Sequence, residues 1–388
     1  MLFVSVCQKI NTGKSIKFGL YIFLNLMCRL IYLILIVITV PLTVSAASGN
    51  SDTEIRGFCI AAPSVSEHER FLTFIEKELV PRKVNTLILR VDFNYQFQTH
   101  PELRDPNGLS NTQVKQMVKI CKAKGINLIP QINLLGHQSW ASSTTNLLKV
   151  YPDFDETPHV KMPEKYEWPN ADGLYCKSYC PLHPGVHKVV FDLVDEIMDA
   201  FEATDFHAGM DEVFYIGDDK CPRCKGKNKA ELFAGEVSKI RDHLAEKNRK
   251  LWIWGDRLID GKQTGIGMWE ASENNTYPAI DLIPRDVTIC DWHYERSEPT
   301  AAYLAMKGFN VITCVWNKPL VGLSQYEDYK TYKSKVNPKL AGRYLGMMQT
   351  IWSGVGSFLN AMDQSKAYPD KKDGQVESFV QLFEALNK

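Results

Sequence analysis

The sequence predicts a single (β/α)₈ barrel over residues 55–388. Three observations predict it: eight short runs of β-branched and apolar residues, helix caps or helical periodicity in most of the segments between them, and polar and aromatic side chains gathered where the runs end. The first run, residues 55–62, carries Arg56 and is otherwise apolar enough to be covered on both faces. Ser66 and Glu69 have capping-box spacing for a helix through Val80. The second run, residues 85–92, ends on Asp92. Ser110 with Gln113 caps the next helix, and Gly125 ends it.

The third run, residues 127–133, leads into Gly136 and His137. A polar and aromatic excursion follows over residues 139–180, too long for a mere connector, and loops of that size usually shape a site. A helix over residues 186–203 delivers the chain to the fourth run, which ends in Asp211 and Glu212. After a helix near 230–247 comes the fifth run, residues 251–256, with Trp254. The sixth, residues 287–294, carries Trp292 and Tyr294 and precedes a helix through Lys307. The seventh, residues 310–317, ends at Trp316 and Asn317; the eighth, residues 344–352, ends at Trp352, and a helix near 375–386 closes the chain. No internal repeat, low-complexity tract or second domain interrupts this order.

Formal charge is balanced, with 45 basic and 45 acidic residues. Residues 1–46 hold Lys9, Lys14, Lys17 and Arg29 and no acid, so the remainder carries 41 basic against 45 acidic residues. That excludes the basic surplus of a nucleic-acid binder. The basic start, the apolar run over residues 30–38 and the small residues of Val44-Ser45-Ala46 predict a secretory signal over 1–46, followed by a linker over 47–54. An uncleaved membrane anchor is the alternative, because residues 20–44 approach the length of a span. The expected location is therefore secreted or periplasmic, or anchored and facing outside. The sequence carries no signal for a particular oligomeric state.

Of ten cysteines, Cys59, Cys121, Cys290 and Cys314 sit in apolar runs, where a buried thiol is the ordinary outcome. Cys176 with Cys180, and Cys221 with Cys224, form close pairs around the fourth run. Disulfides within or between the pairs suit an exported chain; a four-thiolate structural zinc site is the alternative. No phosphate-binding glycine loop, serine-nucleophile elbow or paired-histidine zinc motif is present.

Adjacent residues at mid-strand point to opposite faces, but at a frayed carboxyl end Asp211 and Glu212 can turn toward one cavity. Two carboxylates facing an aromatic wall suit a sugar, whose C–H face stacks on rings while its hydroxyls seek charged partners. An acidic pair capping the following helix is the bland alternative. The pattern His207-x-Gly209-x-Asp211-Glu212 resembles the acid motif of family 20 glycoside hydrolases, the β-N-acetylhexosaminidases. The resemblance runs collinearly from Arg56-Gly57 through Ile129-Pro130-Gln131-Ile132-Asn133 and Gly136-His137 to Trp352.

It implies a carbohydrate substrate ending in N-acetylhexosamine and no cofactor. The substrate's own 2-acetamido oxygen would serve as nucleophile, the exception to the two-carboxylate schemes. Asp211 is then the residue that orients and balances the acetamido group, and Glu212 the general acid/base. Arg56 is expected on the sugar hydroxyls, and Asp92 and His137 behind the acid. Trp254, Trp292 and Trp352 are expected by that resemblance as aromatic walls, and Trp316 by its place at a strand end, with Tyr294 reaching the acetamido oxygen. His207 lies deeper, where a structural hydrogen bond is expected, and Asp256 and Arg257 carry no assigned catalytic part. The family's Tyr-x-Asp near strand seven is replaced by Trp316-Asn317, which leaves glucosamine or galactosamine preference open. A glycan-binding protein without turnover, or an endo-acting glycosidase, are the competing readings.

Overall fold

The computed structural model describes residues 54–171 and 173–388. The leader, most of the linker and the anchor alternative lie outside the described residues. Among the described residues no helix is long and apolar enough to cross a membrane.

Eight parallel strands close into a barrel in simple sequential order: β1 (Ile55–Ala61), β2 (Thr86–Arg90), β3 (Asn127–Leu134), β4 (Asp205–Gly209), β5 (Lys250–Trp254), β6 (Thr288–Trp292), β7 (Asn310–Val315) and β8 (Tyr344–Thr350). The seam is β1 on β8, with Arg56 opposite Met347 and Phe58 opposite Gln349. Both faces of these strands are covered, which is why their sequences read as apolar runs rather than alternations. The barrel interior is filled by Ile88, Ile129, Trp252, Trp254, Cys290, Cys314 and Met348. A larger apolar layer lies between strands and helices, where Phe58, Phe74, Phe358 and Phe379 pack with ring centroids 5.1–6.2 Å apart.

The outer ring comprises α1 (His68–Phe74), α2 (Asn111–Ala123), α3 (Val186–Phe201), α4 (Lys229–Ala245), α5 (Thr300–Met306), α6 (Pro319–Lys335), α7 (Val355–Ala367) and α8 (Gly374–Leu386). The capping box at Ser110 and Gln113 forms as expected, each side chain bonding the other's backbone N–H. The one expected at Ser66 does not. There α1 starts one residue later, and Glu67 reaches back to the N–H of Ser64 at 3.1 Å while Ser66 bonds only the Ser64 hydroxyl. A π turn at Ile75–Leu79 then carries the helix to Val80. Between β5 and β6 no full-length helix crosses; short turns at Asp256–Leu258, Gly261–Thr264 and Tyr277–Asp281 take its place.

The excursion after β3 is ordered by buried polar contacts rather than by long elements. Lys177 is buried, and its ammonium donates to Asp155 and to the carbonyl of Thr157, each at 2.7 Å. Its backbone N–H bonds the Ser139 hydroxyl at 2.8 Å. This loop is thereby laid over the carboxyl ends of β3 and β4.

Candidate active site

Strand β4 ends at Gly209, and the next residues leave the pleat. Gly209, Met210 and Glu212 have φ of 67°, 69° and 49°. Gly209 is required here: a Cβ would stand 2.3 Å from Asn133 Oδ1. A register shift between Gln131 and Leu134 in the β3–β4 pairing adds to the bend. Adjacent carboxylates that a regular strand would send to opposite faces are thus delivered together. His137 arrives from the β3 loop with φ of 53°, through Gly136, whose missing side chain lets the carbonyl of Asp211 approach.

His137 Nε2 lies 3.1 Å from Asp211 Oδ2 and 3.3 Å from Glu212 Oε2. Burial alone would lower the imidazole's affinity for a proton, but the charge of Asp211 and bonds to both acids lift it well above its ordinary value. Burial pushes Asp211 up, yet attraction and hydrogen bonding from His137 win and hold it below the usual carboxylate range. For Glu212 burial prevails over the pull of His137, and repulsion from Asp211 and Asp256 adds to it, so this carboxyl is raised. The two neighbours are pushed in opposite directions. Asp211 Oδ1 is buried and has no hydrogen-bond partner among the described residues.

Several expected positions fall elsewhere. Arg56 is the second residue of a strand whose carboxyl end is Ala61, so it sits at the opposite end of the barrel and bonds Asn387 at 2.6 Å. The arginine at a carboxyl end is Arg90, which closes β2; its guanidinium lies 4.5 Å over the Trp352 ring and donates to the carbonyl of Ile351 at 2.9 Å. The signal was present: Arg90 stands two residues before Asp92 at the close of the second apolar run. Asp92, raised by burial, accepts from the Asn133 backbone at 2.8 Å and amide at 3.4 Å, so it stands behind Asn133 rather than on His137. His207 stays inside the barrel, bonded to the N–H of Gly209 at 3.0 Å. Trp254 is fully buried against it, centroids 4.5 Å apart, and touches Trp352 at 5.7 Å, so it underlies the wall and does not face solvent.

A hollow of about 510 Å³ opens beside Glu212, lined by Tyr175, Trp269, Glu270, Trp292, Tyr294 and Trp316 among others. Two more hollows, at Asn387 and Glu54, have neither the acid pair nor an aromatic wall. Tyr294 lines the first hollow, but its hydroxyl is engaged within the wall. It accepts from Trp352 Nε1 at 3.0 Å and lies 3.1 Å from Thr350 Oγ1, which itself donates to the carbonyl of Val315 at 2.8 Å. Gln375, at the start of α8, accepts from Trp316 Nε1 at 2.9 Å and from the backbone of Trp352 at 3.1 Å, so one oxygen fixes Trp316, which lines the hollow, and Trp352, which is bonded to Tyr294 and is not among the lining residues.

Three further residues carry the site. Tyr175, from the long loop, lines the hollow beside Glu212, and burial together with the charge of Glu212 makes its phenol hold its proton more tightly. Asp256 is buried; its carboxylate accepts the Glu212 backbone N–H at 2.9 Å and lies 3.3 Å from Trp292 Nε1. Arg257, also buried, pairs with Asp256 at 2.7 Å and donates to the carbonyls of Met268 and Ala271. Cys176 is not grouped with the other paired cysteines: its thiol donates to the carbonyl of Glu212 at 3.4 Å. All eight described cysteines are free thiols, so the expected disulfides do not form.

An eight-strand parallel barrel with Glu212 on a sugar-sized aromatic hollow, and Asp211 buried behind it and joined to it through His137, defines a glycoside hydrolase. Residues 92–372 match the family model described as glycosyl hydrolase family 20, catalytic domain. The chain belongs to that family. It is 31% identical over 272 residues to a beta-hexosaminidase of Akkermansia muciniphila, covering 66% of this chain and 50% of that protein. A Vibrio furnissii beta-hexosaminidase is 24% identical over 206 residues, covering 52% of this chain and 28% of its own length. This chain therefore spans half or less of these relatives. The crystal structure of a Bacteroides fragilis β-N-acetylhexosaminidase aligns with a TM-score of 0.57 at 19% identity, covering 85% of this chain and 66% of that one.

Proposed function

We propose that the chain is an exported, exo-acting β-N-acetylhexosaminidase that removes terminal β-linked N-acetylhexosamine with retention, using the substrate's acetamido oxygen as nucleophile. The observation that carries the reading is the opposite tuning of Asp211 and Glu212 around one shared imidazole. Glu212, raised, keeps the proton that a leaving glycosidic oxygen needs. Asp211, lowered and with Oδ1 unpartnered, is an anion ready to accept the acetamido N–H and balance the charge that grows as its carbonyl oxygen closes on the anomeric carbon. Glu212, deprotonated after departure of the aglycone, then draws a proton from water. The protonated His137 stabilises the trio while two anions are present.

Beyond Tyr175, the exposed rings of Trp168, Trp269 and Trp140 form a continuous aromatic margin, with Tyr175 centroids 6.3, 4.9 and 5.3 Å away. Such a margin gives the aglycone sugar a stacking surface and supports an oligosaccharide rather than a free small glycoside as substrate. The test uses aryl N-acetylglucosaminides and a thiazoline mimic of the cyclised intermediate. Strong inhibition and loss of most turnover in Glu212→Gln on substrates with poor leaving groups are expected. Hydrolysis that ignores the thiazoline refutes the internal nucleophile.

A further inference from the structure

Away from the carboxylates, three thiols and one carboxylate converge in the interior. Cys180 closes the loop after β3, and Cys221 and Cys224 lie in the loop between β4 and α4; all three are buried. Cys180 Sγ is 3.6 Å from Cys221 Sγ and 3.4 Å from Cys224 Sγ. Glu156, fully buried, completes the group, and the ligand atoms of all four lie within 4.8 Å of one another. Glu156 Oε1 accepts the backbone N–H of Asp218 at 3.0 Å, while Oε2 has no partner among the described residues. A buried carboxylate oxygen left without a partner beside three thiols is costly unless a cation meets it.

We propose that Glu156, Cys180, Cys221 and Cys224 bind one structural zinc ion that clamps the loop after β3 to the loop after β4. Tetrahedral zinc with Zn–S bonds of about 2.3 Å requires sulfurs about 3.8 Å apart, close to what the two thiol contacts already show. A disulfide requires about 2.05 Å, and with Cys180 placed between both partners it would leave one buried thiol over. An iron–sulfur cluster separates its cysteines by far more than one ion's width, so the group fits a single ion. Cys221-Pro222-Arg223-Cys224 supplies the two-residue spacing usual for a zinc-binding turn. Arg223 Nε donates to Cys180 Sγ at 3.3 Å, which holds that ligand and offsets the excess negative charge of three thiolates and a carboxylate on a divalent ion.

The clamp acts on the two loops that build the acid site: one carries Tyr175 and Cys176, the other follows Asp211 and Glu212. Full-length protein purified without chelator is expected to contain about one zinc per chain by plasma mass spectrometry. Cys180→Ser and Cys224→Ser lose it, and Cys176→Ser retains it. Should the serine variants fail to fold, Glu156→Gln keeps all three sulfurs and is expected to weaken zinc about tenfold or more against a chromophoric chelator. Cobalt added to the stripped wild type should give a thiolate charge-transfer band. Wild type that holds no zinc and gives no such band, a native disulfide among the three cysteines, or full zinc retention in both serine variants overturns the proposal.

Discussion

Replacing His137 with glutamine removes the one cation shared by two carboxylates, and the consequence can be worked through. His137 Nε2 stands 3.1 Å from Asp211 and 3.3 Å from Glu212, and it is the first attractive influence on Asp211 and on Glu212 alike. One buried charge-assisted hydrogen bond contributes about 2 kcal/mol, so kcat/KM at its optimum should fall about 30-fold. The direction of the pH effect is more telling than the size. Without the imidazolium both carboxyls hold protons more tightly. The acid limb of kcat/KM, set by the need for ionised Asp211, and the basic limb, set by the need for protonated Glu212, should both move to higher pH, by about one unit for each 1.4 kcal/mol lost. These limbs belong to the coupled trio rather than to single residues.

The assay is a pH–rate profile on an aryl N-acetylglucosaminide, paired with thermal unfolding across the same range. Asp211 is depressed, so its stabilisation is present above its unfolded value and lost as pH falls through the folded one; His137 is raised, so its share is present below its unfolded value and lost as pH rises through the folded one. The stability gap between wild type and His137→Gln should therefore be widest between about pH 3.9 and 6.5, the unfolded carboxylate and imidazole values. A variant whose activity falls while both limbs stay in place would show that His137 only props the loop.

Other outcomes follow from the same geometry. Tyr175→Phe removes the hydroxyl that stands beside Glu212 in the hollow and can donate to its ionised form, so the basic limb should rise and kcat fall by about tenfold, the value of one hydrogen bond of roughly 1.4 kcal/mol; an unchanged basic limb contradicts it. Arg90→Leu should raise KM by about tenfold or more through loss of the guanidinium beside Trp352, whereas Arg56→Ala, at the far end of the barrel, should leave kinetics as they are. Equal effects of the two substitutions would reverse that assignment. Gly209→Ala imposes a Cβ 2.3 Å from Asn133 Oδ1 at a φ of 67°, at a cost of about 2 kcal/mol or more; a melting temperature equal to wild type would show that the bend relaxes freely.

What the sequence revealed and what it hid divide along a physical line. The barrel was legible because strands buried on both faces carry apolar runs through their middles, such as residues 58–60 in β1 and 87–89 in β2. Asp211 with Glu212 stood out through the surrounding His207-x-Gly209-x-Asp211-Glu212 pattern, because an acidic pair by itself more often caps a helix. Arg56 misled because the resemblance of Arg56-Gly57 to a family pair outweighed its position: the second residue of a strand that ends at Ala61 lies at the amino end of the barrel. Cys176 was grouped with its neighbours by spacing alone. Four residues of loop are enough to swing it to Glu212 while Cys180 turns to Cys224. Tyr175 and Gln375 were invisible for a related reason. One lies in a loop without periodicity and the other in a helix start that reads as an ordinary cap, and both reach the site only through tertiary contacts.

The buried carboxylate of Asp256 joins two things that a designer would wish to keep separate. Through one group it fixes both the amide of Glu212 and the indole of Trp292. Enlarging the hollow by trimming that indole would therefore also disturb the proton donor, and selection for new sugars would meet a penalty in turnover at each such step. Diversification has an easier route through the long loop after β3, where Trp140 and Trp168 are exposed and can change without touching that anchor.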